Sequence, residues 1–256
     1  MKAANSLISF LILFALCIVG CYAGYALWDN QRIYAAAENV QEDMLRLKPE
    51  TEKIEESAVL FQELLGINPD VCGWVALGNT RVDYPILKGD TNLSYINTDI
   101  YGNFALAGSI YLDAKNDQEF EDAYSLLYGH HMENGSMFGD LGLYLEETFF
   151  EENYTGTLIL PDRAYNLEIF ACLQVGASDE NIFEPGKWQA DIEGLLDYAG
   201  QKAVYLHKDR WNSLYEAEEP QVLALTTCSS EFTDARTVIL AFMGPSTVRE
   251  DGRNIK

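Results

Sequence analysis

Basic residues are scarce in this sequence. Its 256 residues contain 17 lysines and arginines against 40 aspartates and glutamates, which gives a formal net charge of −23. Nucleic-acid binding needs basic surface, and charge-driven docking on anionic lipid needs a basic patch, so the composition argues against both. The acidity mainly keeps the protein soluble and favours cationic partners.

Histidine and cysteine, the most common zinc ligands, are also sparse. There are 3 histidines and 5 cysteines, and no pair of cysteines has the C-x-x-C spacing of a zinc site. Internal repeats and low-complexity tracts are also absent from the sequence. We therefore expect neither a metal nor another cofactor, and we expect a single globular unit, for which 48% hydrophobic residues provide an ample core.

The one long hydrophobic run lies at the N-terminus. Residues 6–28 form an almost uninterrupted apolar stretch of about 23 residues, long enough to span a bilayer as a helix. Lys2 precedes it and Asp29 follows it, so the positive-inside bias predicts a single-pass cell-membrane protein whose body is extracellular. Two alternatives stay open: a signal peptide cleaved within residues 23–26, or a lipoprotein cleavage box at residues 18–21.

The cysteine count points to one free thiol in the globular part. Cys17 and Cys21 lie in the apolar run, which leaves Cys72, Cys172 and Cys228. An odd number outside the cytoplasm suggests an unpaired thiol, and Cys228 is our choice. Cys72 and Cys172 could pair, but both lie in strand-like runs and are expected to be buried thiols.

The chain divides into three predicted regions: the anchor 1–28, a helical segment 29–69, and a domain 70–256. Apolar residues recur at helical spacing over residues 29–48, Pro49 interrupts them, and a second helix is expected over residues 51–65. These helices are either a spacer above the membrane or a pair packed on the domain, and we favour partial docking.

From residue 73 onward the pattern changes to short strands. Eight runs are predicted: 74–77, 81–86, 108–113, 124–128, 156–160, 165–175, 221–227 and 237–243. Turn residues punctuate them, which is typical of a closed barrel. Short helices are expected over residues 136–147 and 188–199. The predicted fold class is mainly β with helices, built on an eight-stranded closed β-barrel.

Three of these strand ends carry chemically useful side chains. Cys228 ends one strand, His130 ends another, and Arg236 opens the strand that follows Cys228. A thiol becomes a strong nucleophile as a thiolate, which neighbouring positive charge favours. Taken singly, each residue is more often structural: a buried small hydrophobe, a hydrogen-bonded histidine, a solvated arginine. The joint pattern is what indicates a cysteine enzyme.

The same residues resemble the active-site segments of class B sortases, which are membrane-anchored cysteine transpeptidases of Gram-positive bacteria. The resemblance rests on Leu225-Thr-Thr-Cys228 with Arg236, on Tyr128-Gly-His-His-Met132, and on Met137-Phe-Gly-Asp-Leu141. Further segments agree: Gly73-Trp-Val, Val82-Asp-Tyr-Pro-Ile86, Asn92-Leu-Ser-Tyr-Ile96 and Gly108-Ser-Ile-Tyr-Leu-Asp113. One departure is Ala224, where the family usually has threonine; that hydroxyl has no part in the three chemical roles.

The resemblance implies a sortase-type barrel with N-terminal helices and an extra helix before the strand that ends in cysteine. It implies that Cys228, His130 and Arg236 are catalytic and act on a sorting signal through a thioacyl-enzyme. It further implies that a substrate groove is lined by a small set of residues, namely Asn92, Ile96, Tyr128 and Thr226. The implied partners are surface or pilin proteins that carry a sorting signal, and an amine acceptor, either a lipid-linked peptidoglycan precursor or a pilin lysine.

Other polar residues of the sequence are weaker candidates for a catalytic role. Strand neighbours face opposite ways, so His131 is expected at the surface or in a loop. His207 lies in a polar stretch and is interpreted as a loop residue, and Asp234 is interpreted as a structural loop carboxylate.

Three functions compete at this point. Wall attachment of surface proteins leads, pilin polymerisation uses the same chemistry with a lysine acceptor, and a third class comprises a papain-like hydrolase or an inactive binding module. A papain-type enzyme would place its cysteine before its histidine. Here His130 precedes Cys228, and all three catalytic residue types are present, so the third class is disfavoured.

Overall fold

The computed structural model describes residues 2–50, 54–228, 235–244 and 247–248, with the backbone alone at residues 2–4, 54–57, 228 and 247–248. Its α-helices are α1 (Lys2–Leu45), α2 (Ile54–Ile67), α3 (Glu147–Glu152), α4 (Glu180–Phe183), α5 (Ile192–Lys202) and α6 (Lys208–Glu216). Two 3-10 helices, Gly139–Leu145 and Pro185–Trp188, precede α3 and α5.

The strands follow the short apolar runs of the sequence. They are β1 (Val71–Leu77), β2 (Asp83–Leu87), β3 (Ile110–Leu112), β4 (Tyr124–His130), β5 (Thr155–Ile159), β6 (Arg163–Gly176), β7 (Ala203–Leu206), β8 (Val222–Cys228), β9 (Ala235–Met243) and β10 (Thr247–Val248). Each of the eight predicted runs overlaps one strand. The short β7 and β10, which both pair with β6, were not predicted.

Eight strands close into a barrel, as predicted. The order β6-β5-β1-β2-β3-β4-β8-β9 returns to β6 through the pairing of β6 with β9. Most neighbours are antiparallel, but β2 pairs with β3 and β4 pairs with β8 in parallel. Parallel neighbours end at the same edge of a sheet, and this places the ends of β4 and β8 together.

Alternation along the strands separates two hydrophobic cores. On β4, Leu127 points to the barrel interior with Leu225 of β8 and Ile239 of β9. The adjacent Leu126 joins Ala224 in a second cluster on the outer face, together with residues of α5 and α6. Successive strand residues face opposite sides of the sheet. Where helices cover the outer side, the strands are therefore apolar on both sides.

Both N-terminal helices pack on the barrel. Met44 of α1 and Phe61 and Leu64 of α2 are buried in a third cluster with Trp74 of β1. Polar contacts reinforce it, since Lys48 Nζ lies 2.6 Å from a carboxylate oxygen of Asp83. The helical segment is therefore docked on the barrel at these residues, in agreement with the favoured alternative.

The smaller helices depart from the predicted bounds. The predicted helix 136–147 is a 3-10 helix, Gly139–Leu145, that leads into α3, and the predicted helix 188–199 is represented by α5. His207 lies in the connection between β7 and α6, as interpreted, but it is not an exposed loop residue. It precedes α6, is buried, stacks on Phe150 at 4.3 Å between ring centroids, and has Nε2 3.2 Å from the Phe150 carbonyl oxygen. Burial lowers the pKa of His207, which favours the neutral ring.

Candidate active site

Two strand ends meet at one edge of the barrel. β4 ends at His130 and β8 ends at Cys228, and the parallel register pairs these two residues directly. The side chain of Cys228 and the loop 229–234, which includes Asp234, lie outside the described part of the structure. The backbone alone therefore makes His130 and Cys228 neighbours, although they are far apart in the chain.

Arg236 lies on the next strand of the same edge. Arg236 lies near the start of β9, two residues before Val238, and Val238 pairs with Thr226, which lies two residues before Cys228 on β8. The guanidinium Nη1 of Arg236 is buried and has no hydrogen-bond partner among the residues that the structure describes. Such groups are rare, because an unsatisfied buried donor costs free energy.

The β2–β3 loop, residues 88–109, holds the histidine. His130 Nε2 lies 2.6 Å from the carbonyl oxygen of Ile96. A carbonyl oxygen only accepts, so Nε2 carries a proton in this arrangement. Gly108, with a φ of +59°, closes the loop against Ile96: a Cβ at this position would lie 2.4 Å from the Ile96 carbonyl oxygen. Only glycine fits both the conformation and the space.

A buried carboxylate organises the predicted groove. Asp113 is 1% exposed, and its Oδ2 accepts hydrogen bonds from Asn92 Nδ2 at 2.8 Å and from the Tyr128 hydroxyl at 2.9 Å. Asn92 Oδ1 accepts from the backbone N–H of Ala114 at 2.7 Å, so the whole amide is held in place. Burial, with the Asp113 charge second, raises the pKa of Tyr128 and keeps its hydroxyl a donor.

Aromatic rings form the floor of this region. The Tyr128 ring stacks on Tyr111 at 5.2 Å and on Phe183 of α4 at 6.4 Å between centroids. Thr226 pairs with Tyr128 across β8 and β4 and is fully buried. The structure thus places Ile96 against His130 and joins Asn92 to Tyr128 through Asp113, and the role of all four predicted groove residues stays a prediction.

The neighbouring histidine His131 and the other two thiols of the domain are in different surroundings. His131 is exposed, as its place on the strand predicted. Cys72 and Cys172 are unpaired thiols, as expected. Burial raises the pKa of Cys72, and it raises the pKa of Cys172 to about 12. Both groups therefore remain protonated and unreactive near neutral pH.

Two residues that contact the predicted groove residues were not identified from the sequence. Asp113 stands in a quoted motif, yet no role was assigned to it, and Phe183 was not singled out. An aspartate directly after a buried strand is a usable signal for Asp113, since a buried carboxylate needs hydrogen-bond donors. Phe183 carries no such signal, because an apolar residue in a short helix is usually core.

Gly129 lies between Tyr128 and His130 on β4 and packs closely against Ile110 and Phe138. Its replacement tests how tightly this part of β4 is packed. A Cβ there would lie 2.5 Å from Ile110 Cδ1 and 2.7 Å from Phe138 Cδ2. We expect Gly129→Ala to destabilise the domain by about 1–3 kcal/mol through overpacking. Thermal unfolding followed by circular dichroism measures it.

The matched control for this prediction is Gly66→Ala in α2. A Cβ at Gly66 meets nothing within 4 Å, and alanine is the better helix former by roughly 0.5–1 kcal/mol. Opposite signs for the two variants are expected, and equal stability of Gly129→Ala and the parent protein would contradict the packing argument.

Asp113 is the next testable residue. In Asp113→Asn, an amide N–H would face the Asn92 or Tyr128 donor, so we expect the KM for a peptide substrate to rise about tenfold, equivalent to about 1.4 kcal/mol, with a smaller change in kcat. Asp122→Asn is the control, because Asp122 also accepts from an asparagine side chain, Asn116 Nδ2 at 2.7 Å, and from a backbone N–H. An equal rise in both variants would show that Asp113 has no particular link to the groove.

Comparison with solved structures identifies the class of fold. The chain matches a class B sortase of Streptococcus pyogenes involved in pilus biogenesis with a TM-score of 0.64 and 34% identity, over 72% of this chain and 97% of that one. It matches a sortase B–substrate complex of Staphylococcus aureus with a TM-score of 0.67 and 26% identity, over 84% and 97% of the two chains. The barrel is a sortase barrel.

Sequence comparison narrows this to one family. Sortase B of Listeria monocytogenes is 31% identical over 171 residues, which are 67% of this chain and 68% of the relative. No family model matches the sequence. The chain belongs to the class B sortases, a family of transpeptidases.

Proposed function

We propose that this protein is a cysteine transpeptidase that cleaves a C-terminal sorting signal at a Thr-Gly or Thr-Asn type bond and transfers the protein to an amine of the cell-wall precursor. The observation that carries the proposal is the register of β4 and β8, which pairs His130 with Cys228. Arg236 on the adjoining strand adds a buried guanidinium donor without a partner among the described residues.

In the proposed acylation step, the Cys228 thiolate attacks the carbonyl carbon of the signal threonine. The C–N bond breaks, His130 gives its proton to the leaving amine, and a thioacyl-enzyme remains. The proton on Nε2 supports this role, since His130 already donates to the carbonyl of Ile96. In the second step the incoming amine attacks the thioester, His130 takes a proton from it, and the thiolate leaves.

Arg236 is proposed to stabilise the oxyanion that forms in both steps and to hold the substrate backbone. Its guanidinium remains protonated throughout, so it serves as a donor and a charge, not as an acid. A donor that is buried but unpaired is preorganised, because it loses no existing hydrogen bond when the oxyanion forms.

The nucleophile is proposed to be Cys228 because the other thiols are disfavoured by their surroundings. Burial raises the pKa of Cys72 and of Cys172, and Cys17 and Cys21 lie on the apolar part of α1. A thiolate near neutral pH is therefore expected at Cys228, beside a histidine and an arginine.

The N-terminal part is proposed to be an uncleaved anchor, residues 1–28, followed by the helical segment 29–69 and the extracellular catalytic domain 70–256. The helix is long and apolar enough to cross a membrane by length and composition, and its apolar window is not buried against the domain. The weak positive-inside bias supports the orientation.

A second candidate is a pilin polymerase that uses a pilin lysine as the acceptor. The observation that favours it is the 34% identity to the class B sortase involved in pilus biogenesis. The acylation chemistry is the same in both candidates, so the acceptor alone separates them.

The test is a peptide panel with the full chain in detergent or nanodiscs. Quenched peptides carry NP-x-TN, LP-x-TG and related signals, each with no amine, with a peptide amine that imitates a wall precursor, or with a lysine-containing pilin peptide. Mass spectrometry follows the thioacyl adduct. An adduct resolved by the wall-type amine supports the leading proposal, and resolution only by the lysine peptide supports the pilin polymerase. A folded protein that forms no adduct with any signal would overturn both.

A further inference from the structure

An apolar cavity of about 370 Å³ lies between α1 and the β2–β3 loop. On the α1 side its wall includes Ile33, Val40 and Met44, and on the loop side it includes Phe104 and Leu106. None of these five residues is assigned a part in the proposed chemistry. The cavity is therefore a feature separate from the groove around His130.

The cavity begins where the apolar run of α1 ends. Its lining starts at Asp29 and Arg32, and α1 continues from the run without a break. Residues 5–25 of α1 are all exposed, and Ala26 and Asp29 are the first with reduced exposure. At 1.5 Å per residue, Arg32 lies about 6 Å beyond Trp28. The headgroup layer on one side of a bilayer is about 5–7 Å thick, so the end of the cavity that Asp29 and Arg32 line would lie at the membrane–water interface.

On the loop side of the cavity, large apolar side chains are exposed on a hydrogen-bonded hairpin. Phe104 is 77% exposed and Leu106 is 50% exposed. Thr98 and Phe104 form a β-bridge, and the Asp99 carboxylate accepts from the backbone N–H groups of Tyr101 and Asn103. Exposed apolar side chains on an ordered loop indicate an interaction surface.

The chemistry of the surface favours lipid over a polar partner. Arg32 lines the cavity, and its guanidinium lies 4.9 Å from the centroid of the Trp28 ring. Aromatic and basic side chains of this kind are typical of the interface. The domain is strongly acidic, so charge cannot hold it on an anionic membrane, and apolar insertion is the remaining means of contact.

We propose that the segment 104–107 is a membrane-docking surface, with Phe104 and Leu106 inserted among outer-leaflet phospholipids at the foot of α1. The proposal rests on the proposed membrane anchor but not on the transpeptidase activity. In this arrangement the protein contacts the bilayer at two places, through the anchor helix and through this loop. Because Ile96 of the same loop contacts His130, docking also sets the height of the groove above the membrane.

The test places a photo-crosslinking benzoylphenylalanine in the full chain, reconstituted in phospholipid nanodiscs. Position 104 tests the docking surface, and position 106 repeats the test. Tyr215 on α6, which is 38% exposed and aromatic but is not part of the cavity wall, is the matched control. Leu27, which is 72% exposed within the apolar run, reports on the anchor itself. Mass spectrometry detects lipid adducts after irradiation.

Lipid adducts are expected at positions 27, 104 and 106, with a several-fold lower yield at position 215. The yield at 104 should not fall with added salt, because salt screens charge but not apolar insertion. Adducts at 27 without adducts at 104 and 106 would overturn the docking surface while leaving the anchor intact. No adduct at 27 would overturn both, and a crosslink from 104 to a second copy of the chain would replace the membrane with a protein partner.

Discussion

Replacement of Cys228 by alanine is expected to abolish thioacyl formation and to lower the transpeptidation rate by a factor on the order of 10⁶, the scale of nucleophile removal in a catalytic triad. Neither of the other two thiols of the domain can substitute, because burial raises the pKa of Cys172 to about 12 and also raises that of Cys72. The measurement combines adduct detection by mass spectrometry with the rate of peptide transfer to an amine.

The matched control for this variant is Cys72→Ala. Cys72 is also an unpaired thiol and is partly buried, and its Sγ lies 3.6 Å from the carbonyl oxygen of Ile86. We expect this variant to keep the adduct and the rate. An adduct that persists in Cys228→Ala, or that disappears in Cys72→Ala with the fold intact, would remove Cys228 as the nucleophile.

Replacement of His130 by glutamine is expected to lower kcat by about 10²–10⁴-fold, the usual contribution of a general acid–base group. Glutamine can still donate to the Ile96 carbonyl, which now lies 2.6 Å from His130 Nε2, so the loop should keep its position. It cannot release and regain a proton near neutral pH, so the proton transfer to the leaving amine is lost. The measurement is kcat against pH.

The neighbouring His131 supplies the control for this position. His131 is exposed and pairs with Met137 in an isolated bridge, so His131→Gln should leave kcat and its pH profile unchanged. A pH profile that keeps its shape in His130→Gln would assign the proton transfer elsewhere. A loss of the same size in both variants would point to a disturbed segment instead of a missing acid.

The candidate site was predictable in its residue types and only partly in its geometry. Strand ends at His130 and Cys228 could be inferred because each follows a short apolar run. Their register could not be inferred, since parallel pairing of β4 and β8 depends on how the intervening strands close the barrel. The role of Asp113 was also hidden, because its donors Asn92 and Tyr128 come from different segments.

The misjudged elements have a common cause. The region of β7 and α6 is short and polar, so periodicity carried little information there, and β7 was not predicted. His207 lies between these two elements, as interpreted, but its burial was not foreseen. Packing against Phe150 buries its ring, which no local pattern indicates. Local propensity is weak in such segments, and tertiary contacts decide their structure.

By itself the sequence determined the eight barrel strands, the apolar N-terminal helix and the types of side chain in the candidate active site, because hydrophobic periodicity and composition are local properties. Tertiary structure alone decided which strand ends meet, which carboxylate holds the groove residues, and where the β2–β3 loop lies along α1. These depend on contacts between residues distant in the chain, and such contacts are set by the closure of the barrel and the packing of the helices upon it.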